Sequence, residues 1–245
     1  MTFDLVVATV GRVAELEAFL SSLDRQTCRD FRVLVVDQND DDRIAPVLGE
    51  RTVRLRSPLG LSQARNAALP RLEADVVAFP DDDCIYPPDL LERVAARIEG
   101  LDGITGREPW WTTAAATLTR DNLWNRAISF TIFLRRTLVE QVGEFDESLG
   151  LPSSSGEEID YLIRALDAGA RIEYDPTIVV EHPRKRADVG GRDGESIGYI
   201  LRKHGYPPRV VARMLVRPAV GMAVDPRRAR FHLATLRGRL RGYRQ

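Results

Sequence analysis

The stretch Val76-Val77-Ala78-Phe79-Pro80-Asp81-Asp82-Asp83-Cys84 joins a short apolar run to three consecutive carboxylates. The apolar part has the composition of a buried strand, expected over Asp75–Phe79. An ionised carboxylate removed from water is costly unless something compensates it. Three side by side also repel one another and raise each other's pKa values. A divalent cation answers both problems, and hard oxygen donors at a strand end suit Mg²⁺ or Mn²⁺. Such an ion keeps coordination positions for phosphate oxygens, which points to a phosphorylated substrate. A solvated acidic turn closing a strand is the alternative that this stretch alone leaves open.

The flanking segments place that strand in an α/β pattern. Phe3–Thr9 is apolar and is followed by Gly11, then by Val13, Leu16, Phe19, Leu20 and Leu23 at helical spacing. Phe31–Val36 reads as a second strand ending at Asp37-Gln38-Asn39-Asp40, and Val53–Leu55 as a third. Leu61–Leu72 reads as a helix whose end is blurred by Pro70. Pro87 and Pro88 open a helix carrying Leu90, Leu91, Val94 and Ile98. This alternation predicts a parallel α/β sheet. Ligands of such sheets bind beyond the carboxyl ends of the strands. Ala8-Thr9, Asp37–Asp40 and Asp81–Asp83 all fall there, and their convergence favours a site over a solvated turn.

Composition sets limits. The chain has 245 residues, 44% hydrophobic and 29% charged, enough for one sizeable domain or a domain with an appendage. A net charge of -1 gives no general attraction to nucleic acid. The balance hides an asymmetry: Arg184 to Gln245 holds 16 Lys/Arg against 4 Asp/Glu, about +12. Cys28 and Cys84 are too few and too scattered for a disulfide framework or a zinc site. With no signal peptide evident and no apolar run of spanning length, the expected location is the cytoplasm, or the inner face of the cell membrane as a peripheral protein.

The second half is less regular. Ile104–Phe133 holds all three tryptophans, Trp110, Trp111 and Trp124, which read either as core or as the wall of an acceptor pocket. Gly143-Glu144-Phe145-Asp146 is expected to turn, and Leu149–Gly156 to form a mobile loop. Ile159, Leu162, Ile163 and Leu166 then keep helical spacing. Asp175-Pro176 punctuates two short strand-like runs ending at Glu181-His182-Pro183.

Taken in order, these motifs resemble family 2 glycosyltransferases of the nucleotide-diphospho-sugar transferase (GT-A) fold. The residues that carry the likeness are Val7–Arg12, Val35–Asn39, Gly60–Asn66, Phe79–Asp83, Phe133–Arg136, Val142–Asp146 and Gly156–Asp160. Each is weak alone, but seven in order are specific, and they span roughly residues 3 to 183. The resemblance implies a GT-A catalytic domain over 1–183, with a donor-binding half to about 107 and an acceptor half from about 108. A basic helical extension would follow over 184–245.

The resemblance also implies an activity: inverting, metal-dependent transfer of a sugar from a nucleoside-diphosphate sugar to a hydroxyl. UDP is favoured, with dTDP and GDP as alternatives, and the product would be a cell-surface glycan or a glycolipid. The acceptor would be a glycan or a lipid-linked sugar. Ala8 and Thr9 should contact the nucleobase and Asp37 the base or ribose, with Arg12, Asn39 and Arg65 near the donor; a surface helix arginine is the other reading of Arg65. Asp81 and Asp83 match the family's Asp-x-Asp. Asp83 is the first choice as ligand to Mn²⁺ or Mg²⁺, with Asp81 on the ribose or the metal shell and Asp82 on the donor sugar. Cys84 stands where the family often has an acid or polar residue and suits a buried small side chain. Glu158 takes the place of the usual base, one methylene longer than the family's Asp, with Glu157 as its alternative. Asp160 fits a pair with Arg164 at i,i+4. His182 is a candidate to complete the metal shell, or a structural histidine.

Beyond Pro183 the likeness fades. Arg209, Arg213 and Arg217 recur every fourth residue, with Val210, Val211, Met214 and Leu215 on other faces, and Arg237, Arg241 and Arg244 form a second stripe. These suit an anionic membrane surface, or helices packed over the catalytic domain with arginines in solvent. Two rival functions stay open: a non-catalytic nucleotide-sugar binding or scaffold protein, and a sugar-phosphate nucleotidylyltransferase. The second would want a Gly-rich phosphate loop after the first strand, where only Gly11-Arg12 stands.

Overall fold

The structure, a computed structural model, describes residues 1–150, 155–183 and 190–245. Strands β1 (Phe3–Thr9), β2 (Phe31–Asp37), β3 (Thr52–Arg56) and β4 (Val76–Ala78) run parallel, with β1 between β2 and β4. Helix α1 (Val13–Leu23) follows β1, α2 (Leu61–Ala68) follows β3 and α3 (Leu90–Arg97) follows β4. The helix expected to reach Leu72 stops at Ala68, and Pro70 lies in a 3₁₀ turn, Leu69–Arg71. The second half adds β5 (Gly103–Arg107), β6 (Ala116–Thr117), β7 (Ile132–Arg135), α4 (Arg136–Val142), α5 (Glu157–Asp167) and β8 (Ile172–Val179). The sheet order is β3-β2-β1-β4-β7-β5-β8-β6.

The expected all-parallel sheet therefore holds for only part of the molecule. β7 runs antiparallel to both β4 and β5, and β6 antiparallel to β8. The connection from β5 to β7 contains β6 and two 3₁₀ turns, and β7 enters the sheet between β4 and β5, antiparallel to both. The two strand-like runs around Asp175-Pro176 form one strand. β8 takes them up through a register shift opposite Thr105 and Arg107. Gly106 makes this possible, since a Cβ there would lie 2.3 Å from the Ile178 carbonyl oxygen.

Both faces of the sheet's centre are covered, which is why β1, β2 and β4 read as largely apolar runs. Val6, Leu34, Val36 and Val77 face one core with α5, while Phe3, Leu5, Val7, Val33, Val35 and Val76 face another with α1 and α3. This alternation is the two-residue period of a strand.

Three helices follow: α6 (Gly190–Lys203), α7 (Pro208–Val224) and α8 (Ala229–Arg244). Ile200, Leu201, Val210, Val211 and Met214 are buried in the same core as Val6 and Leu162. Asp160, fully buried, pairs with Arg164 at 3.0 Å as expected and also with Lys203 at 2.7 Å and His204 at 2.8 Å. α6 and α8 meet backbone to backbone, so that a Cβ on Gly242 would lie 1.9 Å from the Glu195 carbonyl oxygen. Among the described residues no helix is long and apolar enough to cross a membrane. Residues 151–154 of the expected mobile loop, and Arg184 to Val189 of the basic tail, lie outside the described residues.

Candidate active site

The chain leaves β1 toward β2 on one side and returns as β4 on the other, so a crevice opens at the carboxyl end of β1. Ala8 pairs with Asp81 across it. Gly11, at φ 67°, turns the chain where a side chain would be strained and brings Arg12 back over the acidic cluster. That turn is tied to the next strand. Asn39 accepts a hydrogen bond from Gly11 N at 2.7 Å and donates to Asp37 through its backbone N at 2.9 Å and Nδ2 at 2.7 Å.

Asp37 is wholly buried, and its other oxygen accepts from Arg54 Nε at 2.8 Å and Nη2 at 2.6 Å, with Arg56 at 3.2 Å. Burial alone would raise its pKa, but these hydrogen bonds prevail and lower it. The structure thus places Asp37 and Asn39 beneath the crevice, holding the Gly11–Arg12 turn.

The crevice has a volume of about 440 Å³, and Ala8, Thr9, Arg12, Gln38, Asp81, Asp82, Asp83 and His182 line it. Asp82 accepts from Thr9 Oγ1 at 2.8 Å and pairs with Arg12 at 3.0 Å. Burial is the main reason its pKa rises to about 6. Asp83 pairs with the other arm of Arg12 and lies 2.9 Å from His182 Nε2. Burial pushes Asp83 up, yet the contacts with His182 and Arg12 outweigh it and hold the carboxyl at about 2. Asp81 accepts from Ser129 Oγ at 3.3 Å and lies 3.5 Å from His182. Burial pulls the imidazole down, but both carboxylates favour its cation and take it to about 9. Phe130 stacks flat on the His182 ring, centroids 4.5 Å apart, and fixes its plane.

Asp81, Asp83 and His182 each bring one ligand atom within 4.8 Å of the others. His182 Nε2 and the buried Asp83 Oδ1 form an ion pair, and Asp81 Oδ2 lies 3.5 Å from the same imidazole nitrogen. Two carboxylates and an imidazole whose ligand atoms converge in this way fit a divalent cation. These are the three expected metal ligands; Asp82 stands apart with Thr9 and Arg12.

Other expected site residues lie elsewhere. Arg65 is 2% exposed and lies over the rings of Phe79 and Phe145, with Nη1 2.9 Å from Glu157 Oε1. It is neither at the donor crevice nor on the surface. Glu157 is consumed by this buried pair, which fixes the first turn of α5, while Glu158 follows it half-buried. Neither glutamate lines the crevice. Cys84 is buried, as expected. Trp124 packs on Tyr206, centroids 5.7 Å apart, and Trp110 is 48% exposed. Sequence reading missed Gln38, which lines the crevice from within a quoted motif, and Ser129 and Phe130, which no motif marked.

The model of the family described as Glycosyl transferase family 2 matches residues 4–139, more than half of the chain, including the Asp81–Asp83 cluster. The chain belongs to glycosyl transferase family 2. An uncharacterized glycosyltransferase of Bacillus subtilis, YwdF, is 22% identical over 248 residues, covering 89% of this chain and 91% of that protein. A PGL/p-HBAD biosynthesis glycosyltransferase of Mycobacterium tuberculosis is 35% identical over 105 residues, 39% of this chain and 41% of that one. Mannosyltransferase PcManGT from Pyrobaculum calidifontis, in complex with GDP-Man and Mn²⁺, has a TM-score of 0.71 at 16% identity, covering 98% and 86% of the two chains. S. aureus TarS 1-349 in complex with UDP-GlcNAc has a TM-score of 0.62 at 20% identity, covering 100% and 92%. These structures share the GT-A fold with this family 2 chain.

Proposed function

We propose that this family 2 glycosyltransferase moves a sugar, with inversion, from a nucleoside-diphosphate sugar to a hydroxyl of a glycan or a lipid-linked acceptor. UDP is the favoured nucleotide. The catalytic unit is residues 1–183, with the donor half to about 107. What carries the reading is the convergence of Asp81, Asp83 and His182, one ligand atom of each within 4.8 Å of the others, at the β1–β4 crevice. The PcManGT complex with GDP-Man and Mn²⁺ and the TarS complex with UDP-GlcNAc, both on this fold, support it.

Asp83, Asp81 and His182 would hold Mn²⁺ or Mg²⁺, and such an ion supplies stabilisation of the negative charge that gathers on a leaving diphosphate. Ala8, Thr9 and Gln38 form the wall against the nucleoside. Arg12, 41% exposed at the crevice rim, offers a guanidinium to the phosphates, and Asp82 steers it. Asp37 and Asn39 act as positioning residues through Gly11. Glu158 takes the acceptor proton as the hydroxyl oxygen bonds to the anomeric carbon and the bond to the β-phosphate oxygen breaks. Glu157, held by Arg65, orients the helix turn that carries Glu158.

Donor hydrolysis with Mn²⁺ in wild type, Asp83→Ala and Glu158→Gln tests the assignment. Asp83→Ala should abolish turnover, and Glu158→Gln should lower it about 10²-fold or more while donor affinity is kept. Full activity in Asp83→Ala would overturn the site. Donor binding without turnover on any acceptor would favour a nucleotide-sugar binding protein.

A further inference from the structure

A second cavity, of about 570 Å³, lies between α6, α7 and α8, far along the chain from the donor crevice. Its walls are mainly apolar, with Ile197, Pro218, Val220, Val224 and Phe231, but Arg217, His232 and Arg239 also reach it. Asp193, also at its wall, accepts a hydrogen bond from Ser155 Oγ at 2.8 Å.

Arg239 is the unusual member. It is only 8% exposed; Nη1 donates to the Met214 carbonyl, and Nε has no hydrogen-bond partner. Burial, with the like charge of Arg217, pushes its pKa down to about 10. A desolvated guanidinium with an unmet N–H beside a second guanidinium is incomplete without an anion.

The rim says what kind of anion. Val216, Val220 and Val224 follow one another at i, i+4 and i+8 on the outer face of α7, 54%, 53% and 78% exposed. Val220 and Val224 line the cavity as well, so its apolar wall continues onto the surface. Residues 190–245 carry 13 Lys/Arg against 3 Asp/Glu, and Arg213 on α7, Arg227 between α7 and α8, and Arg230 and Arg237 on α8 are exposed. A free phosphate would satisfy Arg239 and leave the valines in water. A nucleic acid would use the arginines and equally ignore the valines.

We propose that this groove takes the headgroup phosphate and the first part of an acyl chain of an anionic phospholipid, seating the enzyme on a membrane surface. Arg239 and Arg217 hold the phosphate, and the Val216–Val224 strip enters the interface.

Flotation of the full chain with vesicles tests it, using phosphatidylglycerol mixed into phosphatidylcholine against phosphatidylcholine alone. Wild type should float only with the anionic vesicles. Arg217→Glu and Val224→Asp, both at exposed positions, should each weaken binding by about tenfold or more, and Arg239→Gln should follow. The thermal shift given by UDP with Mn²⁺ should be unchanged in Arg217→Glu and Val224→Asp, and Asp83→Ala should still float. Equal flotation on phosphatidylcholine, no flotation, or wild-type flotation by both rim variants would overturn the proposal. So would stabilisation by inorganic phosphate that needs Arg239 but is accompanied by no vesicle binding.

Discussion

At the scale of the residue, the buried Arg65–Glu157 pair separates what holds the site from what lies in it. Both groups are almost out of water, so breaking the pair leaves a charge that nothing compensates. Arg65→Met should cost about 3–5 kcal/mol in urea unfolding, and adding Glu157→Leu should restore most of that loss. Sequence reading marked both residues as chemically meaningful but could not pair them, because 92 positions separate them. The same holds for His182, joined to Asp81 and Asp83 only by the return of the chain along β8. The acidic cluster itself was legible, since three carboxylates after an apolar run carry their problem in the local sequence.

At the scale of the element, β1, β2 and β4 were legible because helices cover both faces and leave runs rich in Val and Leu, and β3 by its alternating Val53 and Leu55. The direction of β7 was not, since it is set by the strands on either side, β4 and β5, and periodicity does not record which strands become neighbours. The α6–α8 contact was equally hidden: it depends on Gly194, Gly198 and Gly242, which read in sequence only as poor helix formers. Adding a methyl at Gly198 would place it 2.2 Å from the Arg239 carbonyl oxygen. Gly198→Ala should therefore destabilise by about 1–3 kcal/mol, with a lower midpoint in thermal unfolding followed by circular dichroism. An unchanged midpoint would mean that the two helices are not in backbone contact.

At the scale of the whole molecule, α6 and α7 share one core with the sheet, and buried Asp160 ties α5 to Lys203 and His204. Near- and far-ultraviolet circular dichroism should thus report one coincident unfolding transition. Burial opposes the Asp160 charge, but hydrogen bonds from His204 and Lys203 prevail and lower its pKa below 3.8. A carboxyl lowered on folding stabilises fully above its unfolded pKa, and this is lost as pH falls through the folded value. Acid should therefore weaken the chain from about pH 4 downward, and less steeply in Asp160→Asn, as denaturant midpoints across pH would show. The proposed function requires that Asp81, Asp83 and His182 make the β1–β4 crevice a cation-assisted site for a nucleoside diphosphate. Calorimetric titration of UDP, with Mn²⁺ and with a chelator, tests it most directly in wild type and Asp83→Ala. Mn²⁺ should tighten UDP binding about tenfold or more in wild type and have no effect in the variant. Equal UDP affinity with and without Mn²⁺ in wild type would contradict it.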